Sequence, residues 1–199
     1  CLDCNQATAL HYTTSTGIAR QLLERGASSD LAQKDGWTPV HFASSKGLSE
    51  VVQLLIDFKA DVNKPTTNGD YPLHLAATSG DVNTVRVLIN SGADINLRDG
   101  NSRTALHVSC FHGHFEIAKL LIDNEAGIEA EDNTKATPLH AAVYEGHVDV
   151  TRLLIDRGAN KEHRADYKWS LLRSKKNERH PDLFAENFTG IPVIHVACL

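Results

Sequence analysis

The chain has 199 residues, of which 41% are hydrophobic and 23% charged, with a net charge of −5. That composition is ordinary for a globular protein and excludes a disordered chain; no apolar run is long enough to cross a bilayer, and no charged-then-apolar leader opens the sequence. The charge is uneven, with 13 Lys/Arg against 20 Asp/Glu over residues 1–160 and 7 against 5 beyond, so no basic groove is expected and nucleic acid is not an expected partner.

In chain order, the first feature is a phrase that keeps returning. Thr8-Ala9-Leu10-His11-Tyr12-Thr13 is followed by Thr38-Pro39-Val40-His41-Phe42-Ala43, Tyr71-Pro72-Leu73-His74-Leu75-Ala76, Thr104-Ala105-Leu106-His107-Val108-Ser109 and Thr137-Pro138-Leu139-His140-Ala141-Ala142. The histidines are separated by steps of 30, 33, 33 and 33 residues. A fixed period of this size predicts a stacked repeat array. Six residues after each histidine stands a glycine: Gly17, Gly47, Gly80, Gly113 and Gly146.

Each unit reads as helix, turn, helix, loop. The threonine is placed to cap the first helix, and a proline just inside it has a helix-ready φ and no N–H to waste. The glycine ends that helix. The second helix carries paired aliphatics, Leu22-Leu23, Leu54-Leu55, Val87-Leu88, Leu120-Leu121 and Leu153-Leu154, which with Val51, Val85, Ile117 and Val150 form one apolar face. Gly26, Gly92 and Gly158 then close the second helix where positive φ is needed, while Lys59 and Glu125 hold that site at a cost of about 1 kcal/mol each. Asp35-Gly36, Asn68-Gly69 and Asp99-Gly100 are pairs that tolerate positive φ and mark tight hairpin turns between units. The single 30-residue step is expected to come from three residues missing at the start of the second helix of unit one, between Gly17 and Gly26.

Beyond Ala159 the pattern decays. Ser170-Leu171-Leu172-Arg173 falls one period after Thr137-Pro138-Leu139-His140, but the proline, histidine and later glycine are gone. Gly190-Ile191-Pro192-Val193-Ile194-His195 then resumes the phrase. The expected organisation is an array over 1–163, with units at about 3–32, 33–65, 66–98, 99–131 and 132–164. A degenerate or disrupted sixth unit follows over 165–187, and the start of a truncated seventh over 188–199. Methionine is absent, even at position 1, so the chain is expected to begin inside a longer protein or after processing.

These residues resemble the ankyrin-repeat family, whose pattern is a turn, Thr-Pro-Leu-His-x-Ala-Ala, Gly-His, and a leucine-rich helix ending in Gly-Ala-Asp-x-Asn. Gly92-Ala93-Asp94-Ile95-Asn96 matches that ending in full, and Ala60-Asp61-Val62-Asn63 nearly so. The resemblance implies an all-α solenoid of stacked antiparallel helix pairs with projecting β-turn loops. It also implies that the recurring histidines bond within and between neighbouring turns. Partners would meet a concave face made by the turn tips and first helices.

Eleven histidines invite an enzymatic or metal reading, but five recur at one structural position, whereas catalysis needs different groups converging on one point. His114 and His147 open second helices and are also expected to be structural. Cys110-Phe111-His112-Gly113-His114 looks like a ligand set, yet Cys110 stands where other units have the packed Ala77 and Val143, and Cys1-Leu2-Asp3-Cys4 has no second pair. The four cysteines form no disulfide framework, which favours an intracellular setting, the cytoplasm first and the nucleus as the alternative. There, the Asn187-Phe188-Thr189 sequon would be inert. No catalytic group, metal or cofactor is expected.

What remains is surface. The candidate partner-binding residues are Lys34, Trp37, Lys46, Asp70, Asn101, Arg103, Phe111, His112, Tyr144 and Glu145. Trp37, Arg103, Phe111 and Tyr144 are the best anchors, because large side chains with few rotamers dominate binding hot spots; the competing reading for Trp37 and Phe111 is packing on neighbouring turns. Leu55 stands eight residues before Asn63 and Leu88 eight before Asn96. That spacing resembles the preference of the iron- and oxoglutarate-dependent asparaginyl hydroxylase of animal cells, so Asn63 and Asn96 are candidates for β-hydroxylation. The competing reading is loop closure by the carboxamide. The expected function is a monomeric, non-enzymatic scaffold for one or more proteins. The alternative is a regulatory or targeting segment of a larger enzyme, channel or ubiquitin-ligase adaptor.

Overall fold

The computed structural model describes residues 6–166, in which ten helices alternate in two kinds. The first kind comprises α1 (Ala9–Tyr12), α3 (Pro39–Ser45), α5 (Pro72–Ser79), α7 (Ala105–His112) and α9 (Pro138–Glu145). Each is followed by one of the second kind: α2 (Thr16–Glu24), α4 (Ser49–Asp57), α6 (Val82–Asn90), α8 (Phe115–Asp123) and α10 (Val148–Asp156). First helices pack on first helices and second on second, giving two helical layers along one stack. Among the described residues there is no β-strand, and no helix is long and apolar enough to cross a membrane. The all-α solenoid is therefore observed.

The two layers differ because their surroundings differ. Helix α7 lies against α5, α8 and α9 and buries Ala105 through Cys110 without a break. A helix enclosed on so many sides has no need of a polar stripe. Helix α8 buries Ile117, Ala118 and Leu121 while Glu116 and Lys119 face solvent. The second layer is thus amphipathic and outermost, and the core lies between the layers. Loop alanines Ala60, Ala93, Ala126 and Ala159 complete it at the ends of units two to five.

Two expectations are corrected. Unit one does not lose residues from its second helix: α2 is nine residues long, like α4, α6, α8 and α10, whereas α1 is a single turn of four. The missing three residues come from the first helix and the turn after it. Gly17 lies inside α2 and is not a hinge. The second helix keeps its length because its apolar face, including the buried Ala19 and Leu23, must meet α4. In the third turn, positive φ falls on Ser102 (60°), not on Gly100; Ser102 aligns with Gly36 and Gly69 (82° each) and with Lys135 (58°). Gly100 answers a different need, since a Cβ there would lie 2.3 Å from the Asn68 carbonyl oxygen of the preceding turn.

Positive φ at the end of the second helix is found where expected, at Gly26, Gly92 and Gly158 and also at Lys59 (70°) and Glu125 (66°). Apart from Ala165 and Asp166, the expected sixth and seventh units lie outside the described residues, as do Cys1, Cys4, Cys198 and Asn187.

Candidate functional site

The recurring residues are engaged by the scaffold itself. In four units the threonine N–H donates to the Nδ1 of the histidine three residues on, at 3.0–3.2 Å, and Thr Oγ1 lies 2.8–3.0 Å from the same nitrogen. An Nδ1 that accepts leaves the proton on Nε2. That nitrogen then donates to the carbonyl at the end of the next turn: His11 to Trp37 at 3.2 Å, His74 to Arg103 at 2.8 Å and His107 to Ala136 at 3.1 Å. At His41 the corresponding carbonyl, Asp70, is outside hydrogen-bonding geometry. At His74 it is the cap that fails: Tyr71 replaces threonine, and Nδ1 has no hydrogen-bond partner. Burial pushes the imidazoles of His41, His107 and His140 down to about 4 and lowers that of His74, so all four are neutral near pH 7.

Two further columns tie the units together. Gly80 and Gly113 hold left-handed conformations (φ 81° and 72°), and the imidazole of the following unit occupies the space a Cβ would need, at 2.9 Å for His114 and 2.5 Å for His147. Those rings sit over the carbonyls of Thr78 (3.4 Å) and Phe111 (3.0 Å). At the loop edge, side-chain oxygens of Asp30, Asn63, Asn96 and Glu129 accept from the N–H groups of Asp61, Asp94, Gly127 and Asn160 at 3.4, 2.9, 2.9 and 2.8 Å. The Asn63 carboxamide also donates to the Gly92 carbonyl at 3.0 Å. Both candidate asparagines therefore close loops between units.

Cys110 is fully buried, and desolvation drives its thiol far above the ordinary range. A thiol so placed is inert. Among the described residues no three His, Cys, Asp or Glu side chains gather as a metal-binding group.

The candidate partner-binding residues fall along the turns and first helices, in different states. Lys34, Lys46, Asn101, His112 and Glu145 are exposed. Trp37 is half-buried and packs on Phe42 with ring centroids 4.8 Å apart. Phe111 is half-buried against the core, and its ring meets that of His112 at 5.2 Å; His112 in turn stacks on His114 at 5.7 Å. Tyr144 is half-buried beside Glu145. Arg103 is held by Asp99, with Nε at 2.8 Å and Nη2 at 2.7 Å from Oδ2. Burial pushes the Asp99 carboxyl up, but the hydrogen bonds from Arg103 and Asn101 outweigh it and hold the carboxyl below the usual range. Asp70 behaves oppositely: burial and the nearby Asp99 charge raise its carboxyl above the usual range.

Asp70, Arg103, Phe111 and His112 come together on a groove of about 140 Å³, which Asp99, Asp132, Leu75 and Val108 also line. Trp37, Lys34, Lys46, Asn101, Tyr144 and Glu145 do not line it. In the sequence Asp99 stands out only as half of a turn pair, and Leu75 and Val108 only as members of the recurring phrase. The signal was present in the register: Phe42, Leu75, Val108 and Ala141 share one repeat position, and their size falls along the array.

The family model for ankyrin repeats, in three copies, matches residues 10–99 and 73–165. The chain belongs to the ankyrin-repeat family. The ankyrin array is also similar to the ankyrin repeat and LEM domain-containing protein 1 homolog of Caenorhabditis elegans, at 45% identity over 58 residues, which are 26% of this chain and 8% of that protein. The chain thus spans a small fraction of that relative's length. Ankyrin repeats are a protein–protein interaction module, and the family is generally non-catalytic.

Proposed function

We propose that this array is a non-enzymatic scaffold that docks a protein partner on the face formed by its turns and first helices. One observation carries the reading. The recurring residues are engaged by the scaffold, the threonines with their own histidines and His11, His74 and His107 with the next turn, while the positions that vary in register (Trp37, Asp70, Arg103 and Ala136 at the turns; Ser45, Thr78, Phe111 and Tyr144 on the first helices) present different chemistry along one face. Cross-linked turns are already ordered before a partner arrives, so docking on them loses little conformational entropy. The scaffold would act within the cell, in the cytoplasm or nucleus, alone or as the regulatory segment of a larger protein. Affinity capture from lysate with wild type, Trp37→Ala and Tyr144→Ala tests it. Loss of specific partners with the variants is expected, and unchanged capture of every partner would refute the assignment.

Hydroxylation of Asn63 and Asn96 is a second proposal, supported by the buried leucines Leu55 and Leu88 eight residues upstream. One atom of O2 would enter the Cβ–H bond while the other oxidises 2-oxoglutarate to succinate and CO2. Each loop must open for this, because the carboxamides bond the next unit. Co-expression with the hydroxylase should add 16 Da to the peptides carrying Asn63 and Asn96; no mass shift on either ends the idea.

A further inference from the structure

The groove on the turn and first-helix face has a chemical character of its own. In unit two the corresponding positions are filled by Trp37 and Phe42, whose rings pack together at 4.8 Å. From unit three onward those positions hold Asp70 and Leu75, Arg103 and Val108, then Ala136 and Ala141, and the space opens. Its walls are aliphatic and its turn side is acidic. Arg103 is the one cation among the lining residues, and Asp99 already binds it at 2.7 Å. Asp132 Oδ1 accepts from the N–H groups of Thr134 and Ala136, at 2.7 and 3.0 Å, and from the Thr134 hydroxyl at 2.6 Å, and no cation among the described residues forms an ion pair with it. Asp70 is half-buried and, among the described residues, its carboxylate is in no ion pair; Arg103 and His74 favour its charge only at longer range, and burial and Asp99 outweigh them. His74, which lines the same groove, is an almost wholly buried, neutral imidazole; its unmet Nδ1 belongs to the helix cap that Tyr71 lacks. Among the described residues, the groove therefore holds two carboxylates, Asp70 and Asp132, that no cation pairs at contact distance.

We propose that this groove receives a lysine or arginine side chain from an extended segment of the partner protein, with Asp70 as the carboxylate that pairs its charge. The inference rests on the reading of this face as the docking surface. A volume of about 140 Å³ suits one side chain, since pockets for drug-sized molecules run to about 300 Å³ or more. Lysine and arginine have the matching anatomy, an aliphatic stem for Leu75 and Val108 and a cationic head for Asp70. Pairing removes the penalty that Asp70 carries in the free protein, where burial and Asp99 both oppose its charge. A neutral side chain would leave that carboxylate still less solvated. Charge complementarity thus selects the partner's residue type as well as its affinity.

The test is a random-peptide library displayed on phage and panned against the full 199-residue chain, with selected sequences remade as labelled peptides for fluorescence polarisation. One position rich in Lys or Arg is expected. Binding should fall about tenfold with Asp70→Asn, and similarly when the peptide's Lys becomes norleucine or its Arg becomes citrulline. Asp70→Asn removes a strained charge, so its melting temperature should match or exceed wild type. Peptides with no basic preference that Tyr144→Ala weakens and Asp70→Asn does not would overturn this inference and leave the docking face intact. Peptides that neither variant weakens would overturn both. Failure to enrich any peptide would overturn the inference too.

Discussion

Acid should destabilise this array above the pH at which carboxylates titrate. His41, His107 and His140 are 0%, 3% and 4% exposed, and their folded pKa is about 4 against 6.5 in the unfolded chain. A depressed imidazole means that the unfolded state takes up protons first, so stability falls as pH drops below about 6.5 and the loss levels off near 4. At pH 5 each histidine costs about 2 kcal/mol by that linkage, so three cost about 5 to 6 kcal/mol. That approaches the whole stability of a typical domain, about 5–15 kcal/mol. Asp99, held below its usual range, adds its own loss at still lower pH, whereas the raised carboxyl of Asp70 works weakly the other way. Urea denaturation followed by helical circular dichroism at pH 7.5 and 5.0 measures this directly. With a slope of about 2 kcal/mol per molar, the midpoint should drop by roughly 2.5 M. His107→Gln should be less stable at pH 7.5 yet lose about 2 kcal/mol less on acidification. A midpoint that is the same at both pH values would refute the reasoning.

Other predictions concern single positions. Lys59→Gly and Glu125→Gly should each stabilise by about 0.5–1 kcal/mol, raising the melting temperature by roughly 2–4 °C, because both residues sit exposed at positive φ. Gly113→Ala should cost more than about 3 kcal/mol, since its Cβ would lie 2.5 Å from His147 Nδ1, whereas Gly158→Ala, with open space around it, should cost only about 1 kcal/mol; equal losses in thermal melts would contradict the ring-over-glycine packing. Tyr71→Thr should restore the missing cap at His74 and add about 0.5–1 kcal/mol, read from the urea midpoint.

The scaffold was legible because its rules are local. Threonine, proline and histidine act within three residues of one another, and Lys59 and Glu125 betray strained backbone simply by standing where Gly92 stands. Misreadings arose where local cues mimicked one another. Gly17 lies six residues after His11, the same spacing as a true hinge glycine, so counting could not reveal that the deletion fell in the first helix. Asp99-Gly100 has the composition of a turn pair, yet Gly100 is dictated by the approach of the Asn68 carbonyl from the neighbouring unit. The candidate face was legible as a set of positions and not as chemistry. Arg103 looks like a free anchor until Asp99 is seen to bind it, and Trp37 until Phe42 is seen beneath it. The groove needs residues from three units at once, and no single stretch of sequence contains it.

Docking on the turn and first-helix face is tested most directly by photo-crosslinking in cells. A photoreactive amino acid is placed one position at a time at the exposed Lys46, Asn101, His112 and Glu145, and separately at Gln53, Arg86, Lys119 and Arg152, which are exposed on the second helices. Specific adducts with a partner are predicted from the first set and not the second. Adducts confined to the second set, or spread equally over both, would contradict the assignment.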